Sequence, residues 1–591
     1  MKRALAILLL LSSAGCSADV ASNARYGSVA PGATAPGAPP DIEVVSPAPA
    51  SWLPTPDATF EVVVRIPAQS VSIGGVPAMA SQGRYTAALH LDPGLVTVTV
   101  VVTDAMGSSS AASFSYEVGP FRPFPSPVAG AALARLNPQA IPALAAAVTD
   151  ELDAVDWNAL IAPVNPVLAQ SYLGGFVNLD IDIVNVGHGP WSATVAFQNG
   201  GIAVAAQVQA VIVDAVVTDP SGSLIPLHLA AEGHASRAAA TTVATIAITA
   251  SGSPTVQLSP PAVVIDNFTL TAPGALPSLV APLVQGTLSK TLERVLSGVI
   301  ERALTRTLDN HIARVAGPHP VTLNGVDFTV DALVESLVVD PTGLALTLGG
   351  DVVAVATAAT SATVTAPGLP FGAPVPPTLG SAAGVVVALS PDLVAKALIT
   401  LQQAGGLDLD VDASAWSGLG ATLPSLDTTG LAKLLPELAT LPPTPLKIRV
   451  RPKLPPELAI APGPDLATIH LGEVLLEIAT DPPGGGLAQT LLGLTVAGVI
   501  PVTPSVSGNV VTLGTGAQRP AYSFAVVEQP VLRFDARGLE IRLAIVLDAL
   551  LPQLLQKVQI ALPQIQASPI QNPAITAVGP NGDWLAVSGD P

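Results

Sequence analysis

Apolar and polar side chains alternate along this chain over long stretches, and that period of two restricts the fold more than any other feature. Val177, Leu179, Ile181 and Ile183 are apolar while Asn178, Asp180 and Asp182 are polar, the pattern of a strand with one dry and one wet face. Trp191, Ala193, Val195 and Phe197 repeat it. Gly200-Gly201 is a hairpin signal, and Ile202, Val204, Ala206, Val208, Ala210 and Ile212 carry the dry face onto a returning strand. Long strands twist, so a strongly curved antiparallel sheet is expected. Val330 to Ala358 and the residues from Leu446 onward read as further strands. Leu487 to Ile500 reads as a buried element, because Thr490, Gly493, Thr495 and Pro501 leave it short of a membrane span.

Helical periodicity is confined to a few places. Ala129 to Ala162 is helix-like, and Leu276 to Val315 is the longest candidate. In the latter Leu283, Leu288, Leu292, Val295, Val299, Leu304, Leu308 and Ile312 recur at steps of three to five residues, while Lys290, Glu293, Arg294, Glu301, Arg302 and Arg306 take other faces. Forty residues at a rise of 1.5 Å give about 60 Å, so this helix is expected to run along a long β-structure or to break. Shorter helices are expected at Pro391 to Gln403, Gly430 to Ala439 and Asp548 to Ile560.

Composition narrows the function. Only 11% of the 591 residues are charged, against about 25% in ordinary soluble proteins, while 49% are hydrophobic, enough to bury a large core. A formal charge of −19 argues against a nucleic-acid partner, which needs clustered Lys and Arg to displace counterions. A single Cys rules out an intrachain disulfide framework and a Cys-based zinc site. The sequence shows no Gly-x-Ser-x-Gly elbow, His-Glu-x-x-His pair, phosphate loop or dinucleotide fingerprint, so neither enzyme activity nor a cofactor is expected. Asp408, Asp410 and Asp412 start like a calcium loop, but Ala413 and Leu419 stand where its Gly and Glu belong, and the wet face of a strand is expected instead. His228, Glu232 and His234 read as ordinary polar loop residues. Lys447, Arg449, Arg451 and Lys453 place four cations on one strand face, a solvated face or a contact for anionic headgroups.

The first residues have the order of an export signal: Lys2 and Arg3, an apolar run from Ala4 to Leu11, then small residues. Ser13-Ala14-Gly15-Cys16 resembles the lipobox of bacterial lipoproteins, with Ser13 where Leu is usual. The resemblance implies acylation of Cys16, palmitate included, and membrane attachment through it. Ser17 after the Cys resembles outer-membrane sorting, which implies the bacterial cell envelope. Residues 16–40, rich in Ala, Ser, Pro and Gly, are read as a tether. Short alternating strands at Phe60 to Val64, Val71 to Gly75 and Leu95 to Val101 follow, and this stretch resembles bacterial immunoglobulin-like modules, used as spacers or adhesive units.

The remainder resembles the tubular lipid-binding superfamily, in its bactericidal/permeability-increasing and lipopolysaccharide-binding branch. Val385-Val386-Val387-Ala388-Leu389-Ser390-Pro391-Asp392-Leu393, then Gln402-Gln403-Ala404-Gly405-Gly406-Leu407, is similar to that family's strand, Leu-Ser and helix end. Leu435-Pro436-Glu437-Leu438 with Leu446 to Pro455, Gln553-Leu554-Leu555-Gln556-Lys557, and Pro580 to Ser588 are similar to later elements. Two departures stand out: the first unit lacks the family's common disulfide, and an acidic chain replaces the basic tip of the defensive members, so lipopolysaccharide killing is not expected. The resemblance implies an α+β protein with two elongated, strongly curved antiparallel β-barrels, each packed with a long helix, after an all-β immunoglobulin-like sandwich. The expected boundaries are 1–15 signal, 16–40 tether, 41–120 sandwich, 127–365 first tubular unit, 366–381 Pro-rich linker and 382–591 second tubular unit.

The expected partner is a phospholipid or another amphiphile, held in slots lined by dry-face positions. In the first unit these are Ile181, Val195, Phe197, Leu283, Leu288, Leu292 and Val295; in the second, Leu393, Leu398, Leu435, Leu551 and Leu555. Two acyl chains of about thirty methylenes gain on the order of 24 kcal/mol on leaving water. A bilayer offers them a similar gain, so exchange between membrane and slot is near neutral and suits a carrier. The competing expectation is an adhesion or scaffold lipoprotein that holds no lipid. The sequence leaves the oligomeric state open.

Overall fold

The computed structural model describes residues 41–122, 127–172, 177–219, 228–249, 252–271, 281–311, 317–323, 326–354, 368–369, 375–405, 407–418, 424–481, 488–507, 510–532, 534, 541–544, 547–548, 559–561 and 571–590. The protein is mostly β, built from several curled sheets with few helices. Cys16, Leu551 and Leu555 lie outside the described residues.

Two N-terminal sheets enclose one core. Ile42–Ser46, Asp57–Val64, Arg84–His90 and Met79–Ser81 form the first, and Trp52–Leu53, Ser109–Val118, Gly94–Thr103, Ser70–Ile73 and Val76–Pro77 the second. Phe60 and Tyr116, both fully buried, meet edge to face between them at 5.1 Å.

A large sheet follows in the order Leu168–Tyr172, Val177–Gly187, Gly201–Thr218, His228–Ile248, Pro254–Leu258, with Trp191–Gln198 beside Gly201–Thr218. Asn199 and Gly200 make the hairpin loop, since Gln198 pairs with Gly201 and Gly200 takes φ +78°. The hairpin tip is pinned elsewhere: Gly200 N–H donates to Val339 O at 2.9 Å. Gly201–Thr218 does not keep one face inward throughout. From Ile202 its buried positions are even-numbered through Val208 and odd-numbered from Val211, with Ala210 at φ +52° where the pairing with His228–Ile248 is interrupted opposite Ser236 and resumes in the same register. One irregular residue on each strand, Ala210 and Ser236, reverses the side-chain parity of both strands together, from Val208 to Val211 and from Ala235 to Ala238. Ala210 and Ile212 therefore face outward, which corrects their expected place on the dry face. Val177–Gly187 does shift register, between Ile183 and Asn185, and Val184 in that bulge is exposed.

Helix Ala281–His311 lies against this sheet and is about 46 Å long at 1.5 Å per residue. Its buried row, Val284, Leu288, Leu292, Val295, Leu296, Val299, Ile300, Ala303 and Leu304, steps by three and four residues as one helix face requires.

A seven-stranded sheet ties the two parts of the C-terminal region together, in the order Gly317–Leu323, Val326–Asp340, Gly343–Ala354, Val128–Leu136, Val385–Leu389, Trp584–Asp590, Gln571–Val578. Val128–Leu136 was expected to start a helix. It is instead a strand flanked on both sides, with Ala134 opposite Leu346 and Val387, and helix begins only at Ile141–Asp153. Ala-rich apolar runs suit either state, and partners distant in sequence decided this one.

The last curled sheet runs Leu409–Val411, Leu446–Pro452, Ala467–Thr480, Thr490–Ser507, Val510–Thr515, Gln559–Ala561, with Glu457–Ile460 beside Ala467–Thr480 and Ala521–Glu528 beside Thr490–Ser507. Two helix expectations change here. Gly430 to Ala439 contains a single α-turn, Thr428–Leu431, and a 3-10 turn, Pro436–Thr440, because Pro436 interrupts the α hydrogen bonding. Of Asp548 to Ile560, residues 549–558 lie outside the described residues and Gln559–Ala561 is a strand paired with Val510, Val511 and Thr512. Helix Pro391–Gln403 appears as expected, with Ser390 Oγ capping the Leu393 N–H at 3.2 Å.

Candidate functional site

The outer edge of the large sheet is made of three short segments, Pro254–Leu258, Ala262–Asp266 and Thr269–Thr271, all paired to the single strand His228–Ile248. Their inward positions, Val256, Leu258, Val263, Ile265, Phe268 and Leu270, face the core and the long helix, yet each is only half-buried. Ile246 and Ile248 on the neighbouring strand and Leu283 on the helix are half-buried as well. The result is an aliphatic strip, incompletely covered, where the edge of a curled sheet meets a helix. Two contacts hold it. Gln285 Nε2 donates to Phe268 O at 2.9 Å, and the Phe268 ring lies over Gly233, where a Cβ would stand 2.6 Å from its Cζ. Charges lie just outside the strip: Arg237 bonds Asp266 at 2.7 Å, and His234 meets Glu232 at 2.9 Å. An apolar strip with a polar rim suits the tail and head of an amphiphile.

The expected slot positions fall elsewhere. Ile181, Val195, Phe197, Leu288, Leu292 and Val295 all belong to the main buried cluster, and Leu283 flanks it. An open slot would leave its lining accessible to a water-sized probe. Ile181 and Leu288 are 0% exposed and Leu292 is 2%, so these side chains are buried in the main core in this conformation. Leu393 and Leu398 join that same cluster and not the core of the last sheet, whereas Leu435 packs separately with Trp416, Leu446 and Phe524. The reason is the position of helix Pro391–Gln403, which packs on Gly343–Ala354 and Val128–Leu136. The edge segments 254–271 escaped notice because a half-buried alternating strand has the same period as a fully buried one.

The cationic stripe is largely neutralised. Lys447 meets Asp410 at 2.9 Å, Arg451 meets Asp410 at 2.6 Å and Asp408 at 3.3 Å, and Arg449 lies 4.0 Å from Glu477. Burial pushes Asp410 upward, but Lys447 and Arg451 outweigh it and hold the carboxyl below its ordinary value. Asp408 ends above its ordinary value because burial dominates there. The aspartates are thus the partners of the stripe. His228, Glu232 and His234 lie on strand His228–Ile248, not in a loop. Among the described residues no three His, Cys, Asp or Glu side chains are grouped to hold a metal, and no helix is long and apolar enough to cross a membrane.

No family model and no curated protein matches the chain. Among solved structures it is similar to the crystal structure of lipopolysaccharide binding protein, with a TM-score of 0.39 and 13% identity over 78% of this chain and 99% of that one. It is also similar to the solution structure of latherin, with a TM-score of 0.20 and 14% identity over 30% of this chain and 85% of that one.

Proposed function

We propose that this chain binds a phospholipid-like amphiphile non-covalently, with the acyl chains against the strip between helix Ala281–His311 and edge segments 254–271. The supporting observation is the row of inward-facing apolar side chains, Val256 to Leu270, that stay only partly buried where the sheet edge meets the long helix. Covering them with methylenes gains roughly 0.8 kcal/mol for each one buried. The two curled sheets and their shared central sheet are read as two tubular units, the N-terminal pair of sheets as an immunoglobulin-like module, and Cys16 as the acylated envelope anchor.

Native mass spectrometry of the full chain after gentle extraction tests the reading. Wild type should carry endogenous phospholipid, or take it up from phosphatidylethanolamine/phosphatidylglycerol vesicles. Ile265→Asp with Leu270→Asp should lower the occupied fraction by roughly ten-fold, about 1.4 kcal/mol, at unchanged circular dichroism. A chain that carries no lipid and takes none up would support the adhesion or scaffold reading instead.

A further inference from the structure

The N-terminal sheets are docked, not merely tethered. Gly94–Thr103 and Ser109–Val118 lie against Ala467–Thr480 and Ala521–Glu528, and Ala525 belongs to the N-terminal core. Gly472 permits the approach, since a Cβ there would stand 2.5 Å from Leu95 Cδ1 and 3.1 Å from Ser115 Cβ. Two hydrogen bonds cross the contact: Leu95 N–H donates to Glu457 Oε2 at 3.1 Å, and Ser115 N–H to Glu473 Oε1 at 2.8 Å.

Glu117 sits at this junction, 1% exposed. Neither of its carboxyl oxygens, nor Glu457 Oε1, meets a donor among the described residues. Glu117 and Glu457 both line a cleft of about 30 Å³ whose other walls include Trp52, Ile399, Pro456 and Leu458. Two ionised carboxylates side by side in such walls repel each other and offer no donor. A proton on one of them turns the repulsion into a hydrogen bond. A divalent cation would need six or more oxygens, which these walls do not supply.

We propose that Glu117 and Glu457 share one proton, and that this acid–carboxylate hydrogen bond clamps the N-terminal sheets onto the last curled sheet, so that docking loosens as pH rises. Other titratable groups face the junction as well. His470 acts on Glu457, and Lys453 acts on Glu473, a third carboxyl at the junction that burial also raises. Burial first, then the charge of Glu457 and the hydrogen bond to it, hold Glu117 well above the ordinary carboxylate range. Burial also raises Glu457, against hydrogen bonds from Glu117 and Leu95 and the charge of His470. Carboxyls raised on docking favour it fully below their ordinary values, and that contribution is lost as pH climbs from there through the raised values.

Hydrogen-exchange mass spectrometry of the full chain, corrected for intrinsic rates, provides the test. Peptides covering 94–118 and 467–480 should lose roughly ten-fold in protection between about pH 5 and about pH 8, while Val128–Leu136 does not change. Glu117→Gln supplies a permanent donor and should keep the junction protected at the higher pH. Glu457→Gln should do the same, and serves if the first variant does not fold. Infrared difference spectra at neutral pH should show a protonated carboxyl stretch that either variant removes. Protection independent of pH in wild type, or a pH dependence that survives both variants, overturns the proposal. Recovery of protection at the higher pH by calcium or magnesium, reversed by EDTA, overturns it in favour of a cation.

Discussion

Lys396 is the one cation on helix Pro391–Gln403, a helix buried on nearly every side, and its ammonium lies 2.5 Å from Asp351 with 7% of the side chain exposed. Nearby, Arg122 meets Asp392 at 2.6 Å and fastens the chain leaving the N-terminal sheets to the same helix. Removing one member of a buried pair leaves a stranded charge, so Lys396→Met should destabilise the protein by about 3–5 kcal/mol in urea titration. Replacing both partners, Lys396→Met with Asp351→Leu, should recover most of that loss. A double variant as unstable as the single one would mean that the pair holds the helix by more than its charge.

At the scale of elements, the long helix divides into a closed row and an open end. Leu292 is enclosed by sheet and helix, and Leu292→Ala should cost about 2–5 kcal/mol through the cavity left behind. Leu283 borders the half-covered strip, so Leu283→Ala should cost about 1 kcal/mol while reducing phospholipid retention more than Leu292→Ala does. Equal stability losses would show that the strip is as closed as the core. The long strand Gly201–Thr218 carries a related lesson. Its alternation was legible, but the reversal of parity at Ala210 was not, since a single left-handed residue leaves no compositional mark beside small apolar neighbours.

For the whole molecule, the central sheet and the docked N-terminal sheets decide which parts move together. Gly472→Phe would drive a ring into Leu95 and Ser115, and should separate the N-terminal sheets from the last curled sheet. Small-angle scattering should then report a larger radius of gyration than wild type, with the thermal transition of the central sheet retained. An unchanged radius would show that the contact tolerates displacement and contributes little to the shape.

Local pattern determined a good deal by itself. The dry and wet faces of Val177 to Ile183, the hairpin near Gly200, the boundaries of helix Pro391–Gln403 and the polarity of the long helix all follow from side-chain period and capping, which act within a few residues. Tertiary structure decided the rest. Whether Val128–Leu136 became strand or helix, and whether Leu393 joined one core or another, depended on partners more than two hundred residues away or on a neighbouring sheet. Whether an inward-facing side chain is closed in, like Ile181, or left half-covered, like Ile265, depends on how far a curled sheet wraps its helix. The placing of Glu117 and Glu457 belongs to the same class, because only docking brings two ordinary surface-type residues into one narrow cleft.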